Sequence, residues 1–221
     1  AMDDTGVVCW GYNGSGKINV PSLTNPIQVS TGQNHTCALD DTGCVCWGGA
    51  GGVCCGDWNG YQTEAPTLTN PTLLNVGSWH SCALDDTGIV CWGYNGNGAV
   101  SVPTLSNPSK VTAGAEYTCA LDDTGVVCWG YNGSGKTDVP NLTNPEQVSA
   151  GGNHTCALDD SGVVCWGDNS DGQTDVPDGL GDVVAVAVGG YHSLAVTSDG
   201  EVVAWGRNNY GESDVPDGLS D

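Results

Sequence analysis

Residues 147–177 read QVSAGGNHTCALDDSGVVCWGDNSDGQTDVP. Gln147 to Ala150 is short and β-prone. A Gly-Gly-Asn turn leads into His154-Thr-Cys-Ala-Leu158. Asp159-Asp-Ser-Gly162 is a second turn, with Gly placed for positive φ. Val163-Val-Cys-Trp166 is β-branched and aromatic, as strands prefer. A third turn at Asn169–Gly172 leads to Thr174–Val176, read as a fourth, outer strand that Pro177 stops. No segment holds a helical period over three turns. The unit therefore reads as four short antiparallel strands.

The same text recurs along the chain. Trp-Gly stands at Trp10, Trp47, Trp92, Trp129, Trp166 and Trp205, spaced 37, 45, 37, 37 and 39 residues apart. One such unit cannot bury both of its faces, so neighbours must stack. The expected fold is all-β, a propeller of about six short antiparallel blades. Tight hairpins argue against the competing parallel β-helix. A single domain spans 1–221, with units near 12–47, 48–92, 93–129, 130–166 and 167–205. A composite of 206–221 and 1–11 makes the sixth.

Composition limits function. The 221 residues include 35 Gly, about twice ordinary usage. Four Lys plus Arg face 26 Asp plus Glu, for a net charge of −22. Phosphate binding by counterion release needs a cluster of cations, so nucleic acid is not an expected partner. An anionic membrane surface is disfavoured for the same reason. No apolar run approaches 18 residues.

The last unit runs Val186-Ala-Val-Gly-Gly-Tyr-His192-Ser-Leu-Ala-Val-Thr-Ser-Asp-Gly200-Glu-Val-Val-Ala-Trp205-Gly206. It resembles the regulator-of-chromosome-condensation repeat, whose pattern is a valine run, a Gly turn, His-Ser-Leu-Ala-Leu, an Asp-Gly turn and a strand ending in Trp-Gly. The resemblance recurs in every unit. It implies a ring of antiparallel blades with loops on two faces, and no single function. Residues 166–177 also resemble repeats of a secreted bacterial inhibitor of β-lactamase built on this propeller.

Cysteine spacing supplies the next expectation. Cys37/Cys46, Cys82/Cys91, Cys119/Cys128 and Cys156/Cys165 each lie nine apart across a hairpin turn. A turn such as Asp40–Gly43 sets Cys37 opposite Cys46, near disulfide range. The last unit replaces both positions together, with Leu194 and Ala204. Zinc is the rival reading. It is disfavoured because no C-x2-C knuckle occurs and because Tyr117 replaces His in a unit that keeps its cysteines. Disulfides imply an oxidising compartment, hence a secreted or cell-surface protein. Cys9, Cys44, Cys54 and Cys55 remain. A bridge from Cys44 to Cys54 or Cys55 is one expectation.

The binding candidates are aromatic. Tyr12, Tyr94, Tyr131 and Tyr210 follow Trp-Gly in their loops and are expected on one rim, where Tyr makes contact at low entropy cost. An insertion at 48–61 breaks the repeat and carries Trp58 and Tyr61. Departures from a repeat map to binding loops, and Trp79 is read as joining them. His35, His80, His154 and His192 recur at one blade position. They are expected to be structural hydrogen-bonders within their own blades. The Asp-Asp turns lack the calcium-loop order and read as solvated turns.

No catalytic motif, cofactor site or metal site is expected. The chain reads as a non-enzymatic binding propeller with a protein partner. The alternatives are a glycan-binding or adhesive module, and a structural repeat of a larger surface protein. Aligning Asp214–Asp221 with Asp175–Asp182, and Ala1–Asp3 with Ala38–Asp40, leaves the equivalent of Val183–Leu194 unfilled. Either the sequence is a fragment of a longer chain or another chain fills the gap, and the open blade edge predicts self-association.

Overall fold

The computed structural model describes residues 1–3, 6–49, 61–216 and 218, with Tyr61 described by its backbone only. A terminal hairpin pairs β1 (Met2–Asp3) with β2 (Gly6–Val7). Blade I is β3 (Gln28–Thr31), β4 (His35–Asp40) and β5 (Gly43–Gly48). Blade II is β6 (Leu73–Val76), β7 (His80–Asp85) and β8 (Gly88–Gly93). Blade III is β9 (Lys110–Ala113), β10 (Tyr117–Asp122) and β11 (Gly125–Gly130). Blade IV is β12 (Gln147–Ala150), β13 (His154–Asp159) and β14 (Gly162–Gly167). Blade V is β15 (Val183–Val188), β16 (His192–Thr197) and β17 (Val202–Gly206). Each blade is an antiparallel three-stranded sheet in chain order. With the hairpin, the sheets make an all-β propeller of about six blades.

The fourth strand expected at Thr174–Val176 does not form. The Asn169 side chain takes its place. Thr174 N–H donates to Asn169 Oδ1 at 3.0 Å, and Asn169 Nδ2 donates to Asp175 Oδ1 at 2.7 Å. Local side-chain bonds of this kind compete with a strand ladder. Asn132–Asp138 and Asn208–Asp214 repeat the closure in neighbouring units.

The core lies in the seams between blades. Cys37 and Leu39 of blade I pack with Leu74, Val76 and Ala83 of blade II. Cys82 packs on Val111 and Ala113, and Cys119 on Ala150. The inner strands converge on an axis where glycine is required by close approach. A Cβ on Gly32 would overlap the Gly77 carbonyl, and one on Gly77 the Gly114 carbonyl. Gly114 and Gly151 repeat the relation with Gly151 and Gly189. The turns then bond across the seams, Ser78 N–H to Gly114 O at 3.2 Å and Ala115 N–H to Gly151 O at 3.1 Å.

Register places the cysteines as the spacing predicts. Cys37 opposes Cys46, Cys82 opposes Cys91, Cys119 opposes Cys128 and Cys156 opposes Cys165. All four pairs are disulfides, with Cα atoms 4.0–4.1 Å apart. In blade V, Leu194 opposes Ala204 at the same place. In the hairpin, Ala1 and Val8 exchange both backbone bonds at 2.9 Å. Bonded and non-bonded pairs alternate in an antiparallel ladder, so Cys9 occupies a non-bonded site, where side chains approach most closely.

Candidate functional site

Strand 3 of each blade ends where strand 2 begins, so the loops after Trp-Gly share a rim with the axial turns. Tyr94 N–H donates to Trp79 O at 2.9 Å, Tyr131 N–H to Glu116 O at 2.9 Å and Arg207 N–H to Tyr191 O at 3.0 Å. This register brings Trp79 beside Tyr94. It also places Tyr191, which sequence reasoning did not single out, at the position of Trp79. Tyr12, Tyr131 and Tyr210 are exposed, at 80%, 45% and 88%, while Tyr94 and Trp79 are half-buried. Tyr191 is 42% exposed. It shares with Thr31, Gln33, Ser78 and Asn153 the lining of an axial cavity of about 430 Å³. Tyr61 begins a 3-10 turn, Tyr61–Thr63. Trp58, Cys54 and Cys55 lie outside the described residues.

Three of the chain's four cations sit on this rim against tyrosine faces. Lys17 Nζ lies 5.8 Å from the Tyr12 ring centre. Lys136 Nζ lies 4.8 Å from Tyr117 and 5.1 Å from Tyr131. The Arg207 guanidinium stands 5.1 Å from Tyr191 and 5.6 Å from Tyr210, and pairs with Glu212 at 3.5 Å. Such contacts contribute about 0.5–2 kcal/mol, more when desolvated. Lys136 is buried, and its ammonium donates to Gly152 O and Asn153 Oδ1. Burial lowers its pKa, against an opposing pull from Glu116. A pairing of rim tyrosine with rim cation was legible as Lys17 and Lys136 five residues after Tyr12 and Tyr131.

Beneath the rim, each Trp anchors its blade. Trp47, Trp92, Trp129, Trp166 and Trp205 donate from Nε1 to the carbonyls of Lys17, Gln62, Ala99, Lys136 and Gln173. The histidines do not act within their own blades, as the sequence reading expected. They cross the seams. His35 Nε2 meets Ser81 Oγ at 2.7 Å, His80 meets Thr118 Oγ1 at 2.8 Å and His154 meets Ser193 Oγ at 2.8 Å. Thr118 and Ser193 donate their own protons to Ala99 O and Gln173 O. They therefore accept from His Nε2–H, which fixes the neutral tautomer and leaves the buried Nδ1 atoms without a partner. Burial pushes all three imidazoles from 6.5 down to about 4, helped at His35 by the repulsion it would meet from His80 were both protonated. At His154 the second cause is His192, opposed by Asp168. Tyr117 makes the same crossing, donating to His154 O at 2.6 Å.

The opposite rim is closed by its own bonds. Asp40 Oδ1 accepts from Thr42 N–H and Oγ1, and Oδ2 accepts from Thr24 N–H. Asn25 Nδ2 donates to Asp41 at 2.6 Å. Asp85, Asp122 and Asp159 repeat the turn. At Cys44, a free thiol, burial and then the Asp40 charge push the pKa up to about 12. Its sulfur lies within 4.8 Å of those of Cys37 and Cys46, but those two are joined to each other. One thiol is left, which is no ligand set for zinc.

The pattern described as "Regulator of chromosome condensation (RCC1) repeat" matches residues 72–99, 109–136, 146–173 and 183–212, more than half of the chain. The chain belongs to the RCC1-repeat family. Among solved structures, it is similar to the CRINKLY WD40 ectodomain of the Arabidopsis thaliana receptor kinase ACR4. The identity is 25% and the TM-score 0.72, over 95% of this chain and 74% of that one. The ectodomain of the Physcomitrella patens receptor kinase CR4 gives 25% identity and TM-score 0.69, over 90% and 56%. Prp20p of Saccharomyces cerevisiae, studied for its binding to Gsp1p and histones, gives 18% identity and TM-score 0.70, over 85% and 59%. This last likeness shows the fold alone. The RCC1-repeat chain spans less than two thirds of the length of the Physcomitrella and yeast proteins. Curated protein sequences give no significant match. The likeness of residues 166–177 to the bacterial inhibitor rests on their sequence pattern alone.

Proposed function

We propose that this RCC1-repeat propeller is a non-enzymatic, secreted or cell-surface protein-binding module that meets its partner with the tyrosine rim. The observation that carries the reading is the contrast between rims. One holds exposed Tyr12, Tyr131, Tyr191 and Tyr210 against Lys17, Lys136 and Arg207, around an open axial cavity. On the other, side-chain donors already occupy the turn carboxylates. Tyr and Arg are enriched where interfaces concentrate their energy. Four disulfides support an oxidising compartment. So does the likeness to two receptor ectodomains.

A photo-crosslinking side chain at 12, 131 or 210 tests the reading against one at 25 or 144 on the opposite rim. The probe is the extracellular and cell-surface protein fraction of the source organism. Rim positions are expected to capture one protein, and the opposite positions none. Equal capture from both rims overturns it. Binding to a glycan array that rim substitutions abolish gives the rim to a sugar. Trp58→Ala with Tyr61→Ala is expected to weaken capture while leaving the Tm within a degree or two. A loss of about 3–5 kcal/mol, as for a buried Trp, assigns them to packing instead.

A further inference from the structure

Strand β5 carries Cys44 and Cys46 two residues apart, so their side chains share one face. Register sets Cys46 opposite Cys37, and Cys44 opposite Leu39. Cys44 Sγ lies 3.8 Å from Cys46 Sγ, and the three sulfurs lie within 4.8 Å of one another. The other blades carry Ile89, Val126, Val163 and Val202 in the place of Cys44. Blade I alone puts a thiol there. Cys37 is fully buried, while Cys44 and Cys46 are half-buried. The trio packs in the seam with blade II, against Leu39, Leu74, Val76, Ala65 and Leu68.

In the oxidised blade, two of these sulfurs are joined to each other. Reduction frees them and leaves the hairpin in register, because blade V holds the same register with Leu194 opposite Ala204. The step is exchange with two glutathione thiols. They give two electrons and two protons to the protein sulfurs and leave as one glutathione disulfide. Rotation about the Cα–Cβ bonds then lets the freed sulfurs part to about 3.5–4 Å, the spacing of three thiolates around one ion at about 2.3 Å.

We propose that reduced blade I is a binding site for a trivalent thiophilic ion, of the class of arsenic(III), held by Cys37, Cys44 and Cys46. Soft centres select thiolate ligands. Charge then selects the valence. The seam is apolar, and burial and the Asp40 carboxylate both oppose negative charge at Cys44. Three thiolates leave two negative charges around copper(I), one around zinc(II) and none around arsenic(III), and a buried charge is costly. Zinc also takes a fourth ligand in its structural sites, and none joins the three among the described residues. Arsenite, As(OH)3, exchanges three hydroxides for three sulfurs. Three As–O and three S–H bonds break, three As–S bonds form and three waters leave, with no change of oxidation state. The site lies below the tyrosine rim and is independent of what the rim binds.

The test uses the 221-residue protein, reduced with a phosphine, desalted under nitrogen and given one equivalent of arsenite. The intact mass is expected to rise by one arsenic less three hydrogens. Alkylation and peptide mapping are expected to find Cys37, Cys44 and Cys46 protected together. Reduced blades II, III and IV offer two thiols each, so blade I is expected to bind at least about tenfold more tightly, its third bond closing within the molecule. Cys44→Val, which copies blades III and IV, is expected to lose that advantage for arsenite. It should keep its affinity for phenylarsine oxide, which makes only two bonds. Val126→Cys is expected to give a second tightly bound arsenic, at blade III. Near-ultraviolet circular dichroism follows the fold, and a reduced protein that unfolds is expected to recover its spectrum with arsenite. Failure to recover overturns the proposal. So does equal protection of all four pairs, unchanged arsenite affinity in Cys44→Val, or protection of Cys54 and Cys55 in place of Cys37.

Discussion

His80 is neutral because its environment removes water and supplies an acceptor. Its Nε2–H reaches Thr118 across the seam, and its Nδ1 is buried without a partner. Protonation would charge a group that burial penalises, so the folded pKa falls to about 4 from 6.5. The unfolded chain binds these protons first. Native stability is therefore fully present above pH 6.5 and is lost as pH falls from 6.5 towards 4. The slope is about 1.4 kcal/mol per pH unit for each of His35, His80 and His154. The turn carboxylates Asp85 and Asp122 act in a lower window. The Thr69 and Ser106 amides, with the Thr87 and Thr124 hydroxyls, hold them below the ordinary value, so their stabilisation is lost only under stronger acid. Blade III provides a natural substitution, since Tyr117 makes the same crossing without a group that titrates in this range. His80→Tyr is expected to fold, because Gly77 leaves the room that Gly114 leaves for Tyr117. Urea unfolding between pH 7 and 4.5 is expected to lose about a third of its pH slope. An unchanged slope would mean that His80 is protonated in the native state.

The blade was legible in sequence because its information is local. A nine-residue spacing across a tight turn fixes register, and register fixes which cysteines meet. The paired change to Leu194 and Ala204 pointed to the same contact, and the structure places those residues opposite each other. The fourth strand was misread because Thr174-Asp-Val176 has strand-like residues while Asn169, five residues earlier, holds the competing acceptor. The histidine crossings were also misplaced. His154 and Ser193 lie 39 residues apart, and nothing in the repeat says which blade a side chain faces. Blade V shows that the hairpin folds without its bridge, so each disulfide adds stability to a register already chosen. A cross-link closing about ten residues contributes about 2–3 kcal/mol by chain entropy. Cys156→Leu with Cys165→Ala copies blade V and should lose about that amount. Cys156→Ala with Cys165→Ala should lose more, because it adds a cavity. Equal losses from the two variants, in denaturant titrations, would show that packing at this site is immaterial.

Twenty-six acidic residues against four basic ones make the whole molecule repel itself. The fold manages this by spending carboxylates as acceptors. In four turns the first Asp receives bonds at both oxygens, and the second receives an Asn side chain. These oxygens are held by amides and hydroxyls that would have to be displaced before a cation could bind. The remaining repulsion acts through solvent, and salt screens it over about 10 Å at 0.1 M. The Tm is therefore expected to rise as sodium chloride is raised from about 10 mM to 0.5 M. Calcium chloride at matched ionic strength distinguishes screening from binding. If the turns are closed by their own donors, calcium should give the same Tm as sodium, and calorimetric titration should show no saturable heat. A Tm several degrees higher in millimolar calcium would reassign the acidic rim as a cation site. Asp40→Asn, which keeps an oxygen for Thr42 but removes the charge, should then abolish that gain. With the turns closed, the same variant changes neither salt's effect and costs stability only through the weaker bonds to Thr24 and Thr42.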